Sequence, residues 1–240
     1  MDLQWKDDFE QLRAAQSEEQ LFERVTGIAK RLGFDHCCYG IRVPLPASKP
    51  TVAIFDSYPS GWIKHYQEQN FIDVDPTVRE GMNSTGLIVW PDSPSDAPSD
   101  SRCLWADAHD HGLVVGCAYS GWAARGVYGL LSVARPADRL TSAEIDLVTP
   151  QMRWLANLSH MLMSQFVVPK LAPEANVSLT RRECEVLRWT SDGKTSLQIG
   201  QILNITERTV NFHVSRVVMK LNAANKLQAV VKAIALGLID

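Results

Sequence analysis

Apolar residues recur at helical spacing along ITERTVNFHVSRVVMKL, residues 205–221. At about 100° per residue, Val210, Val214, Val217, Val218 and Leu221 share one face. Arg208, Phe212, Ser215 and Met219 point away from it, so two large apolar side chains stand on the side the stripe does not use. The neighbouring segments carry helix-start signals. Thr180 with Glu183 and Thr195 with Gln198 are spaced as capping boxes, Thr206 can cap the segment above, and Asn225 precedes a helix with Leu227, Val230 and Ile234 on one face. Gly193 and Asn204 punctuate the run. Four short helices, the second and third joined by a tight turn, predict a helix-turn-helix module over residues 177–240.

Upstream the period changes. Ser17 and Gln20 form another capping-box pair, predicting a helix to about Leu32 that Gly33 stops. Strand-like runs follow as CCYGIRV, TVAIFD, GLIVW, VGCAYS and VYGLLSVA, with helical stretches near 60–69, 76–83 and 101–111. PDSPSDAPSDS reads as an exposed loop, because proline, serine and aspartate favour turns. A long helix over about 142–166 places Ile145, Val148, Met152, Leu155, Leu158 and Leu162 along one side. Helices at both ends of a mostly antiparallel sheet predict an α-β-α sandwich, so the whole chain reads as α+β. The segment VVPKLAPEANV, with two prolines and no regular period, marks the boundary. We expect a domain over 1–166, a linker over 167–176 and the helical module beyond it.

Charge supports the same division. The net charge of −3 alone argues against nucleic acid as a partner. Residues 177–240, however, hold 9 Lys and Arg against 5 Asp and Glu, while residues 1–176 hold 15 against 22. Positive charge is concentrated on the helical module. The segment MDLQWKDDFE is charged where a secretion signal would be apolar, and no apolar run reaches the roughly 18 residues of a membrane span, so a cytoplasmic protein is expected. Five cysteines form no C-x-x-C pair, so reduced thiols are expected. His36-Cys37-Cys38 and His109-Asp110-His111 lack a second ligand pair at zinc spacing, and neither metal nor cofactor is expected.

A helix that buries one face in its own bundle and presents the other outward suits the DNA major groove. Arg208, Ser215 and Arg216 can donate to phosphates or base edges, and Phe212 and Met219 can meet thymine methyl groups. Asn211 on the flank matches adenine, while Lys194, Lys220 and Lys226 suit phosphates. Thr195 and Thr209 complete the candidate DNA-binding set. One module covers only about 600 to 1,000 Å² of surface on DNA, so a homodimer on a palindromic operator is expected. The long helix 142–166 and the fourth helix of the module, with Val230 and Ile234, are the candidate seams.

The stretch from LTRRECEVLRW to VVKAIALGLI resembles the DNA-binding domain of LuxR-type transcription factors, with Glu183, Leu187 and Gly193 at the signature spacing. In the N-terminal half, Tyr58, Trp62, Tyr66, Asp75, Pro76, Trp90 and Gly116 are similar to the pattern of the acyl-homoserine-lactone-binding domain. The resemblance implies a quorum-sensing regulator whose ligand is an N-acyl-homoserine lactone, with RNA polymerase a further partner. It also implies that Trp62 donates to the lactone carbonyl, that Tyr58 and Ser132 serve the amide carbonyl, and that Thr77 lies nearby.

Chemistry agrees with that assignment. Trp62 and Tyr66 are one helical turn apart and supply polar points on an aromatic wall. An Asp75 carboxylate can accept the ligand's amide N–H in a charge-assisted bond. Asp75 before Pro76 is equally an ordinary helix cap, and one carboxylate can fill both roles. Two other classes remain open on the residues alone. A regulator with the same DNA-binding tail could sense another input, either a different small molecule or phosphate, and phosphate sensing would need a parallel receiver sheet with an acidic cluster. A lactone-processing enzyme would need a nucleophile elbow or a supported metal run, and the sequence contains neither.

Overall fold

The computed structural model describes residues 3–45, 50–122, 126–136, 138–173 and 177–239. In the N-terminal half the elements are α1 (Leu3–Arg13), α2 (Glu18–Arg31), β1 (His36–Val43), β2 (Thr51–Asp56), α3 (Trp62–Glu68), α4 (Pro76–Gly81), β3 (Leu87–Val89), α5 (Arg102–Asp110), β4 (Val115–Trp122), β5 (Tyr128–Arg135) and α6 (Ser142–Leu171). The five strands form one sheet in the order β2-β1-β5-β4-β3. β3–β4 and β4–β5 pair antiparallel, with Ala118 opposite Ser132.

Each side of the sheet has its own helical layer. On one side Tyr39 of β1 is hydrogen-bonded to His160 of α6 at 2.6 Å, and Phe55 of β2 meets Phe22 of α2. On the other side Ile88, Ala118, Tyr128 and Leu130 pack against Val78 and Met82 at α4, and an aromatic cluster joins α3, α5 and the segment between β3 and α5. β4 and β5 are buried on both faces because both layers cover them. The sandwich therefore follows the expectation drawn from helices at both ends of a mostly antiparallel sheet.

Two local expectations are corrected. Ser17 caps α2 by accepting the Gln20 N–H, but the Gln20 side chain takes the Gln16 N–H instead of Ser17's, so the box closes one residue early. The long helix does not end at 166. It continues to Leu171 through Pro169, and Ala172 N–H still donates to Val168 C=O at 2.9 Å. Proline removes one backbone donor and clashes with the turn behind it, but the bonds after it can resume. Of the expected linker 167–176, residues 174–176 lie outside the described residues.

The C-terminal module contains α7 (Arg181–Ser191), α8 (Ser196–Leu203), α9 (Glu207–Lys220) and α10 (Lys226–Ala235). Both capping boxes of α7 and α8 close with both bonds, and Thr206 and Asn225 cap α9 and α10. Val186, Ile199 and Val210 form the core, with Trp189, Leu203, Ile205 and Val214 around it. A Cβ on Gly200 would lie 2.7 Å from the Ile205 carbonyl, so the α8–α9 turn closes only over glycine. On α10 the expected single face divides. Val230 packs inward with Ala229 and Ala233, whose small size permits close approach, while Leu227 and Ile234 are 73% and 51% exposed.

Candidate ligand site and DNA-reading helix

The candidate ligand residues converge on the sheet face covered by α3, α4 and α5. Gly61 in the left-handed region starts α3, so Trp62 is its first helical residue and Tyr66 follows one turn later. Asp75 caps α4, with Pro76 preset for the first helical position. Its Oδ1 accepts the Thr77 N–H at 2.8 Å and the Thr77 hydroxyl at 2.7 Å, and its Oδ2 accepts the Tyr66 hydroxyl at 2.8 Å. Thr77 thereby serves the carboxylate, and Tyr66 acts on Asp75 as well as on the aromatic wall. Burial pushes the Asp75 carboxyl above its ordinary range, while the bonds from Thr77, Tyr66 and the Val78 backbone pull the other way.

Tyr58 is hydrogen-bonded to Ser132 of β5, and burial raises its phenol well above the usual value, so both hydroxyls stay protonated at neutral pH. Tyr66 is raised for the same first reason, burial, reinforced by the Asp75 charge. Trp62 is buried against Tyr66 at 6.0 Å and stacked on Phe71 at 6.4 Å. Trp90 lies 5.1 Å from Trp105, and neither indole N–H has a partner among the described residues. A Cβ at Gly116 would stand 2.5 Å from the Val133 carbonyl and 2.8 Å from the Trp90 ring, which is why glycine occupies that place. The seven ligand candidates therefore belong to one constellation of aromatic walls, hydroxyl donors and one buried anion.

The sequence reading missed three neighbours. Phe71 and Trp105 extend the aromatic cluster, and Cys38 lies close enough to Asp75 to feel its charge, near Tyr58 and Tyr66. Strand alternation holds the signal for Cys38: Tyr39 faces α6, so residue 38 must face the candidate site. His109-Asp110-His111 stands at the end of α5, and among the described residues no group of three or more histidine, cysteine or acidic side chains can hold a metal.

On α9 the inward stripe of Val210, Val217 and Leu221 is buried, with Val214 and Val218 partly so. Arg208, Asn211, Ser215 and Arg216 are exposed, as are Phe212 at 55% and Met219 at 72%. The Arg216 guanidinium lies over the Phe212 ring at 5.6 Å. The Asn211 carbonyl accepts the Ser196 hydroxyl at 2.7 Å, which ties the amide to the first turn of α8 and leaves its N–H₂ as the remaining donor. Thr209 is tied to Thr206 at the helix start by a hydroxyl pair at 2.8 Å. Lys194 and Thr195 stand at the N-terminus of α8, with Thr195 the cap itself.

Lys220 has partners inside the module. Its ammonium donates to Glu183 at 2.6 Å and to the Ser178 carbonyl at 3.3 Å, so it bolts the end of α9 to the start of α7. Lys232, which the sequence reading passed over, donates to the Leu221 and Asn222 carbonyls at 3.0 Å each and closes the C-terminus of α9. These two lysines orient the recognition helix from behind.

Comparison with known proteins agrees with both halves. Residues 17–163 match the autoinducer binding domain family, and residues 177–233 match the bacterial regulatory proteins of the luxR family. The transcriptional activator protein SolR of Ralstonia solanacearum is 57% identical over 239 residues, covering 100% of each chain. A crystal structure of Escherichia coli SdiA superimposes with a TM-score of 0.86 at 31% identity, covering 97% of this chain and 96% of that one. SdiA in complex with octanoyl-rac-glycerol gives 0.83 at 30% identity over 96% and 93%. Neither the receiver-domain nor the lactone-processing alternative is supported by these relatives. A sensor sandwich with an aromatic-walled anion, a helix-turn-helix module and full-length identity to known regulators lead to one conclusion: the chain belongs to the LuxR family of autoinducer-binding, quorum-sensing transcriptional regulators, which are not enzymes.

Proposed function

We propose that the autoinducer is an N-acyl-homoserine lactone bound beside Trp62 and Asp75. The observation that carries this reading is the buried Asp75 carboxylate, 9% exposed, held by Tyr66 and Thr77 next to the Tyr58–Ser132 hydroxyl pair. An acyl-homoserine lactone has one amide N–H, one amide carbonyl and one lactone carbonyl. Asp75 would accept the N–H, Tyr58 and Ser132 would donate to the amide carbonyl, and Trp62 would donate to the lactone carbonyl. Trp90 would back the aromatic wall. A ligand that binds only the folded chain adds about 2.7 kcal/mol at a hundredfold excess over its Kd, enough to couple occupancy to folding.

The proposed active form is a homodimer on a palindromic operator, with one α9 in each half-site and Lys194, Thr195, Arg208, Thr209, Asn211, Phe212, Ser215 and Arg216 as the reading set. Outward apolar residues support two seams. On α6, Leu147 and Met161 stand exposed two heptads apart, and on α10 Leu227, Val231 and Ile234 stand exposed. The proposed division is 1–166, 167–176 and 177–240. RNA polymerase is the further partner of such a regulator. A cytoplasmic location is consistent with the described residues, where no helix is long and apolar enough to cross a membrane.

A second reading follows from the SdiA complex. A monoacylglycerol offers hydroxyl donors to Asp75 and an ester carbonyl to Tyr58 and Ser132. Mass spectrometry of small molecules co-purified from cells supplied with butanoyl- to dodecanoyl-homoserine lactones separates the two readings. Recovery of a lactone, with soluble yield rising on its addition, is expected. A chain that takes up no lactone yet binds DNA would overturn the lactone reading, and recovery of a monoacylglycerol would favour the second.

A further inference from the structure

The run His109-Asp110-His111 ends beside Trp62 instead of on open surface. His111 caps the C-terminus of α5, and its Nδ1–H donates to the Asp107 carbonyl at 2.7 Å. A carbonyl only accepts, so this bond fixes Nδ1 as the protonated nitrogen. The Asp107 carboxylate lies 2.7 Å from Nε2 of His65 on α3, with both side chains about one-third exposed. The two imidazoles are stacked, centroids 5.5 Å apart and planes 22° from parallel. The Trp62 ring stands 5.1 Å from His111 and 6.2 Å from His65. The helix that carries Trp62 and Tyr66 is thus joined to α5 through a His–Asp–His cluster whose rings enclose the indole.

We propose that His65, Asp107 and His111 are positioning residues for the Trp62 indole, holding it where α3 presents it to the ligand. The proposal rests on the reading that Trp62 contacts the lactone. Facing His65 are Asp107 and His111 from α5 and its cap, and the uncharged rings of Trp62 and Phe71. Facing His111 are His65, Trp62 and the Asp107 carbonyl. Among the described residues, Asp107 is the only carboxylate bonded to either ring. That bond to His65 and the stacked ring of His111 are the ties that join α3 to α5 at the indole, so loss of either frees the Trp62 ring to shift.

The test measures the affinity of the full chain for N-octanoyl-homoserine lactone by equilibrium dialysis at fixed pH. His65→Ala and Asp107→Ala each remove the tie between α3 and α5 and should weaken binding about fivefold, the size of an ordinary coupling between touching residues. In a Trp62→Phe background, where the indole is already gone, the same two substitutions should have little further effect. A merely structural role would give equal losses in both backgrounds, and that equality would overturn the inference, as would unchanged affinity in both variants. The two variants lie on different elements, so the test survives if one fails to fold. Wild type that takes up no lactone would overturn the parent reading instead.

Discussion

The outward face of α9 and the surroundings of Asp75 break the usual rule of burial in opposite directions. On α9 a phenylalanine and a methionine stand in water, and in the sensor sandwich a carboxylate lies inside an aromatic cluster. Each arrangement is costly in isolation, since apolar surface is left wet in one case and a charge is left dry in the other. The chain itself relieves each only in part, with Arg216 over the Phe212 ring in the first case and the hydrogen bonds from Thr77 and Tyr66 in the second. Thymine methyls and phosphates suit the first, and a ligand N–H suits the second. The difference teaches that a binding surface announces itself by what its own fold leaves unsatisfied, and the sign of the mismatch indicates the chemistry of the partner.

The strongest way to break this comparison is to neutralise the buried charge while keeping the cap. Asparagine caps a helix about as well as aspartate, so Asp75→Asn should leave the ligand-free thermal midpoint nearly unchanged. A hydrogen bond to a charged acceptor is worth about 1.5–3 kcal/mol, so lactone affinity should fall roughly 10- to 100-fold. Equilibrium binding beside thermal unfolding without ligand separates the two roles, and equal affinity would remove Asp75 from the site. The pH dependence carries the same information. Between the ordinary carboxylate value and the raised one, the folded chain holds a proton that the unfolded chain has released. This group's contribution to ligand-free stability therefore falls as pH rises across that window. The ligand N–H favours the anion, so lactone affinity should run the other way and weaken as pH drops.

On the wet side, Arg216→Ala removes both a donor and the cation over Phe212. Operator affinity should fall by about 1–3 kcal/mol while lactone retention stays as in wild type. A fluorescence-anisotropy titration at fixed salt measures the first and mass spectrometry the second. Loss of both together would mean that Arg216 supports the fold, and the contrast between the two regions would lose its outer half.

Much of this was legible in the residues because the signals were local. Caps at Thr180, Thr195, Thr206 and Asn225 each act within three positions of themselves, and all four close as spacing predicted. The α9 stripe was legible for the same reason. What escaped depends on packing between elements. Nothing near Lys220 in sequence shows that Glu183 waits 37 residues upstream, and nothing near His65 points to Asp107, 42 residues on. Pro169 misled because a proline is read as a stop, whereas α6 carries it through to Leu171. Leu227 and Ile234 misled because a helical stripe states which residues share a side, not how much of that side the bundle covers.

Lys220 offers a sharper test, since its sequence reading and its surroundings disagree. A phosphate contact would make the salt dependence of DNA binding shallower by about one unit when lost. The ion pair predicts otherwise. Burial alone would raise the Glu183 carboxyl, but the bonds from Lys220 and Thr180 bring it below its ordinary range. Stability from this pairing is present above the unfolded-state value and lost as pH falls through the lowered one. Lys220→Met should therefore cost about 1–2 kcal/mol of folding stability at neutral pH, less in acid, with the salt slope unchanged. A shallower slope with unchanged stability would return Lys220 to the DNA-binding set.

The smallest expected effect concerns Thr195, which belongs to both sides of the comparison. Its hydroxyl accepts the Gln198 N–H while the Gln198 side chain accepts the Thr195 N–H, so the residue closes the first turn of α8. It is also exposed, at the start of the helix that precedes the reader. Thr195→Ala deletes the cap and should lower stability by about 1 kcal/mol, while Thr195→Ser preserves it and should cost only a few tenths. If the hydroxyl also meets a phosphate, alanine should weaken DNA binding beyond the loss of folded chain, and serine should restore it. If Thr195 is a cap alone, affinity corrected for the folded fraction should be the same for threonine, serine and alanine. That equality would mark α8 as scaffold and leave the outward face of α9 as the surface that reads.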